Sequence, residues 1–81
     1  MKYIVFQDPS ENEHIVLFSA GFTHHAVATA MQEACPTHKL TAIAAGIVTE
    51  DMTCCGESQT LHLRSRRQDD TLLLKIAIRV N

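Results

Sequence analysis

Arg64, Ser65, Arg66 and Arg67 follow one another without interruption, and Asp69 and Asp70 stand just beyond them. A guanidinium group is a planar fork of donors that fits a phosphate or a carboxylate, and a serine hydroxyl adds another donor. Ser65 and Gln68 have the spacing of a capping box, so the arginines are expected at the start of a helix. Free backbone N–H groups favour an anion there. The candidate ligand-binding set is therefore Arg64, Ser65, Arg66 and Asp69, with Gly56 and Ser58 added from the other end of the preceding strand, where the flexible Gly56 loop is a candidate lid across a dimer interface. The competing reading is a capped helix with solvated flanking charges, in which Asp69 and Asp70 simply complement the helix dipole.

The cysteines and histidines invite a second chemistry. Cys35 and His38 form a C-x-x-H pair, and Cys54-Cys55 supply two more soft ligands, enough in number for a tetrahedral zinc. The spacing fits no ribbon or finger, and adjacent cysteines seldom ligate one metal together. Cys35 reads instead as a small apolar residue at a helix end, and Cys54 as one packed under a loop. No metal and no other cofactor is expected. His24-His25 fall in a first helical turn, where the dipole disfavours protonation, and read as exposed. His62 reads as lying on the polar side of a strand beside Thr60. Cys54, His62 and Asp51 make a triad only on paper, because no nucleophile elbow or glycine-rich phosphate loop positions them. The chain is accordingly read as non-catalytic.

The elements that must hold these residues follow from periodicity. Lys2 to Gln7 is rich in aromatic and β-branched residues, Asp8 to Asn12 is a dense turn signal, and Glu13 to Ser19 is a second such run: a β-hairpin. Ala20-Gly21 breaks the pattern. Thr23 can cap a helix, with Phe22 and Val27 at the positions of a hydrophobic staple and Val27, Ala30, Met31 and Ala34 as its apolar stripe. Cys35-Pro36 ends it. Leu40 to Glu50 reads as a third strand in which Gly46 marks a bulge or a close backbone approach. Asp51 to Gly56 reads as a loop, and Glu57 to Arg64 as a fourth, half-buried strand.

The last segment satisfies two periods. Leu72, Leu73, Ile76, Ala77 and Val80 form a helical stripe, while Leu72, Leu74, Ile76, Ile78 and Val80 also alternate as a strand would. The start signals at Ser65 to Asp70 favour the helix. The expected fold is a small two-layer α+β domain of order ββαββα, an antiparallel sheet with two helices on one face, and residues 1–81 as a single domain.

Composition narrows the function class. The chain has 81 residues, 46% hydrophobic and 20% charged, near the globular average. A net charge of −2 does not suit nucleic-acid binding, which needs many uncompensated cations. No apolar run approaches the ~20 residues of a membrane helix, and no signal-peptide pattern opens the chain. Three cysteines with no such pattern point to reduced thiols in a cytoplasm. A domain of this size buries only about 60–65% of its unfolded surface, so a homodimer is expected to add burial.

The segment from Cys54 to Leu73, which includes Cys54-Cys55-Gly56-Glu57-Ser58, Thr60-Leu61-His62-Leu63 and Ser65-Arg66-Arg67-Gln68-Asp69-Asp70, resembles the tail of a group of short uncharacterised proteins of tailed phages and prophages. Those read approximately Cys-Tyr-Gly-Glu-Ser, Ser-Leu-Gly-Leu and Ser-Arg-Pro-Glu-Asp before a short leucine-rich helix. Ala44-Ala45-Gly46-Ile47-Val48 is similar to their Ser-Ala-Gly-Phe-Val strand, and Ile15 to Phe18 with Thr23-His24 to their Ile-Val-Phe and helix start. Cys55 stands in place of the tyrosine, His62 of the glycine, and Arg67-Gln68 of the Pro-Glu pair. The resemblance implies a phage or prophage origin and supplies no mechanism. The expected function is a non-catalytic accessory protein that binds a host protein in the bacterial cytoplasm. The alternatives are a binder of a small anionic ligand such as a nucleotide, or a minor virion or assembly component.

Overall fold

The computed structural model describes residues 1–80, Val80 by its backbone alone. Lys2–Gln7 form β1 and Glu13–Phe18 form β2. The turn between them is held by Asp8, whose carboxylate accepts the backbone N–H groups of Ser10 (2.9 Å) and Asn12 (3.0 Å) and the ring N–H of His14 (2.9 Å). α1 spans His24–Ala34 and β3 Thr41–Val48. Three two-residue strands follow: β4 at Cys54–Cys55, β5 at Glu57–Ser58 and β6 at Leu63–Arg64. α2 closes the chain at Gln68–Val80. The main sheet has the order β2-β1-β3-β4 and is antiparallel throughout; β5 and β6 pair as a separate ribbon. The α+β class, the antiparallel sheet, the opening hairpin and the final helix are as expected from the sequence.

The layering differs from expectation. β1 is a central strand, and four consecutive residues of it, Tyr3 to Phe6, are fully buried. Successive side chains of a strand point to opposite faces, so such a run needs cover on both. Tyr3 and Val5 pack with Ala44, Val48, Cys54 and Leu74 of α2. Ile4 and Phe6 pack with Ala45 and Ala28 of α1, joined by Val27, Met31, Leu61 and Leu63. The helices therefore lie on opposite faces of the sheet, giving three layers rather than two helices on one face.

Two further expectations are corrected. The run from Glu57 to Arg64 is no continuous strand: it folds back at Gln59–His62, where His62 takes φ 56° and the Ser58 hydroxyl accepts the Leu61 N–H at 3.2 Å. That turn carries both Leu61 and Leu63 onto the α1 face. Cys54–Cys55, expected in a loop, pairs with Val48 and Ile47 as the outer strand.

Local signals around α1 hold in part. Thr23 caps the helix, accepting the Ala26 N–H at 3.0 Å. Phe22 is 60% exposed, so the staple contributes little burial. The inward stripe is His24, Val27, Ala28 and Met31, not one running through Ala30 and Ala34, which are exposed. Alanines are too small to dictate which face turns inward.

Gly46 marks a close approach: a Cβ there would lie 2.2 Å from the Cys55 carbonyl oxygen and 3.2 Å from the Tyr3 ring. The register shift in this strand pair lies elsewhere, between Val5 and Phe6, where Ile43 is the extra residue of β3.

Candidate functional site

The start of α2 is tied to the sheet by a closed polar network. The Tyr3 phenol oxygen lies 2.6 Å from both the Ser65 hydroxyl and Asp70 Oδ2. A carboxylate only accepts and a phenol has one proton, so Tyr3 donates to Asp70 and Ser65 donates to Tyr3. Ser65 Oγ also accepts the Arg67 N–H at 3.0 Å. Asp70 is fully buried, and it further accepts the Arg66 backbone N–H (2.9 Å) and Arg66 Nε (2.8 Å). The two terminal nitrogens of Arg66 fork onto Glu13 at 3.1 and 2.8 Å.

The expected capping box is thus displaced. Ser65 serves Arg67 and Tyr3, and Asp70, two residues beyond Gln68, reaches back over the helix start. Hydrogen bonds from Arg66 hold the Glu13 carboxyl below the usual carboxylate range. Those to Glu13 are in turn the main reason the guanidinium is raised. Burial, and next the acceptor Asp70, push the Tyr3 phenol well above its ordinary value.

Beside this network opens a cleft of about 750 Å³, lined by Thr53, Arg66, Arg67, Gln68, Asp69, Thr71, Leu72 and Lys75. Gln68, Thr71, Leu72 and Lys75 recur at i, i+3, i+4 and i+7, so they are one stripe of α2. Thr53 comes from the segment leading into β4, which the helix grips: Thr71 Oγ1 accepts the Cys54 N–H at 2.9 Å. Arg66 is consumed by its two carboxylates. Among the described residues, neither the Arg67 guanidinium nor the Lys75 ammonium has an acidic partner. Asp69 is exposed on the same rim.

Of the residues singled out from the sequence, Arg66, Arg67, Gln68 and Asp69 line the cleft, and Ser65 belongs to the network behind it. Gly56, at φ 79°, connects β4 to β5 and accepts the Ser65 N–H on its carbonyl at 2.9 Å. Arg64 is exposed on β6, opposite Glu57, and Ser58 is buried at the end of β5, opposite Leu63; neither lines the cleft. Sequence reasoning missed Tyr3, Glu13 and Asp70 as network members, and Thr53, Thr71, Leu72 and Lys75 as lining. The helical stripe was a usable signal for the last three. Nothing local marks Glu13, which is 53 residues from Arg66.

The other chemistry-bearing residues are dispersed. His24, read as exposed, is buried in the core: its Nε2–H donates to the Gly46 carbonyl at 2.9 Å, and its ring meets Phe18 edge-on. A smaller cleft of about 230 Å³ lies between this residue and the β5–β6 turn. His25 is exposed as read. Cys35 closes α1, while Cys54 is buried on the α2 face, where desolvation raises its thiol. All three cysteines are free thiols. Among the described residues no three His, Cys, Asp or Glu side chains converge as a metal site would require. The paper triad does not assemble: Asp51 is engaged by Thr49, Cys54 is buried on the α2 face, and His62 is exposed in the β5–β6 turn. No described helix is long and apolar enough to cross a membrane.

Comparison with protein-family models, with curated proteins and with solved structures gives no match.

Proposed function

We propose that this is a non-catalytic accessory protein of phage or prophage type that binds a host protein in the bacterial cytoplasm, through the cleft along α2. The observation that carries the reading is the character of that cleft: open, mixed in charge, with Arg67 and Lys75 lacking acidic partners and Leu72 59% exposed beside them. Small-molecule sites are concave and mostly apolar, whereas protein interfaces set an apolar, arginine-enriched centre within a polar rim. The partner surface that fits presents carboxylates to Arg67 and Lys75. Arg66 takes no part in recognition; it fixes the start of α2, and with it Arg67 in the turn before the helix and Lys75 upon it.

The second reading, a small anionic ligand such as a nucleotide, has one observation in its favour: about 750 Å³ is within the range of pockets that hold such molecules. One experiment separates the two. The tagged chain and its Arg67→Glu/Lys75→Glu variant are each used to capture protein from host lysate, and the eluates are measured by native mass spectrometry. A host protein retained stoichiometrically by the parent and lost by the variant is expected. A retained small anion with no protein supports the second reading. A protein captured equally by both overturns the assignment to this cleft.

A further inference from the structure

The solvent-facing side of α2 carries an unusual pattern. Asp69, Leu72, Ile76 and Arg79 are spaced 3, 4 and 3 residues apart, which places them on one stripe. The stripe points away from the sheet, because Asp70 and Leu74, on the opposite side of the helix, are the buried residues. Leu72 is 59% and Ile76 50% exposed, and Asp69 and Arg79 are exposed at either end. Two large aliphatics held in water between an acid and a base have no role within the chain: among the described residues neither charged end forms an ion pair.

We infer that this stripe is the contact between two copies of the chain, packed as antiparallel α2 helices about a two-fold axis. The charge order is what selects this occupant. In an antiparallel pair centred on Leu74, Leu72 of one copy meets Ile76 of the other, and Asp69 meets Arg79, so each residue finds its complement twice. A two-fold interface must be self-complementary in this way. A parallel pair would instead set Asp69 on Asp69 and Arg79 on Arg79. Asp69 and Leu72 of this stripe also line the cleft, whereas Arg67 and Lys75 stand on its other flank and remain outside the contact. Leu72 lies at the boundary, so pairing completes the outer wall of each cleft with a second copy. A single helix pair is at the small end of specific interfaces, on the order of 1,000 Å² in all, which suits dissociation in the micromolar range.

Sedimentation equilibrium of the full chain from low to high micromolar concentration tests this. The parent is expected to approach twice its 9.0 kDa. Asp69→Arg alone and Arg79→Asp alone each set like charges together and should weaken dimerisation tenfold or more; the double exchange Asp69→Arg/Arg79→Asp should restore it. The restoration is diagnostic, because reversed charges oppose the helix dipole at both ends in the double variant. Effects arising only within the helix would therefore be worst there. Leu72→Glu should give a monomer with unchanged circular dichroism. A parent that stays at 9.0 kDa throughout, or a double exchange no better than either single one, overturns the inference.

Discussion

At the scale of single residues, Arg66 and Arg67 are neighbours in opposite settings, the first paired with two carboxylates and the second, among the described residues, with none. Read as sequence, Arg66 is a donor of the candidate ligand-binding set. In the fold it neutralises Asp70, a carboxylate with no exposure to solvent. Removing one partner of such a pair strands a buried charge, so Arg66→Ala should destabilise the fold by about 3–5 kcal/mol in urea unfolding. Arg67→Ala, exposed and without an acidic partner, should change stability by less than about 0.5 kcal/mol. Equal effects of the two would contradict the network.

The same residues set the pH response. The Glu13 carboxyl is depressed in the folded state, so its contribution is present above the ordinary carboxylate range and lost as pH falls through the depressed value. The Tyr3 phenol is raised, so its contribution is complete below its ordinary value of 10.0 and lost as pH rises toward the folded value. Tyr3 is the sole tyrosine, so the ultraviolet absorbance of phenolate reports it alone. That signal should develop together with loss of circular dichroism. Reversible phenolate formation near pH 10 in a folded chain would show that the phenol is not held as described.

At the scale of elements, the sequence was legible where signals are local. The Asp8-Pro9 turn, the Thr23 cap and the α2 start each rest on side chains that bond within a few residues. The final helix won over the strand reading because Asp70 reaches back to the Arg66 N–H, a contact that no extended chain makes. What failed was non-local. The break in the expected fourth strand depends on Leu61 and Leu63 both finding the α1 face, and the side on which α2 lies depends on β1 being apolar on both faces. That second cue was present in Tyr3-Ile4-Val5-Phe6 as an unbroken apolar run, and it outweighs the expectation of a two-layer domain. Gly46 was legible as a close approach, and its cost can be measured. Gly46→Ala places a methyl against the Cys55 carbonyl, which is backbone and cannot swing aside. It should therefore destabilise the fold by about 1–3 kcal/mol or more, read from chemical denaturation. A neutral substitution would show that β3 and β4 can separate freely.

At the scale of the whole molecule, three layers leave the outer surface of α2 as the place where the features proposed for binding meet. The sheet core, Ala28 of α1 and Leu74 of α2 account for the buried apolar residues. The β1–β2 hairpin supplies Tyr3 and Glu13 to fix where α2 begins, which sets Arg67 just before the helix and Lys75 upon it along the cleft, with Leu72 and Ile76 facing outward. Of the candidate site, the arginine-rich corner was legible as a place; which arginine is free was not, because Glu13 enters only through the fold. The central claim is that recognition runs through Arg67 and Lys75 while Arg66 is structural. Its most direct test is calorimetric titration of the captured host protein into the parent chain and into Arg67→Ala/Lys75→Ala. Charge-assisted hydrogen bonds are each worth about 1.5–3 kcal/mol, so affinity should fall at least tenfold while the melting temperature stays within a few degrees of the parent. Unchanged affinity in that variant would contradict the account.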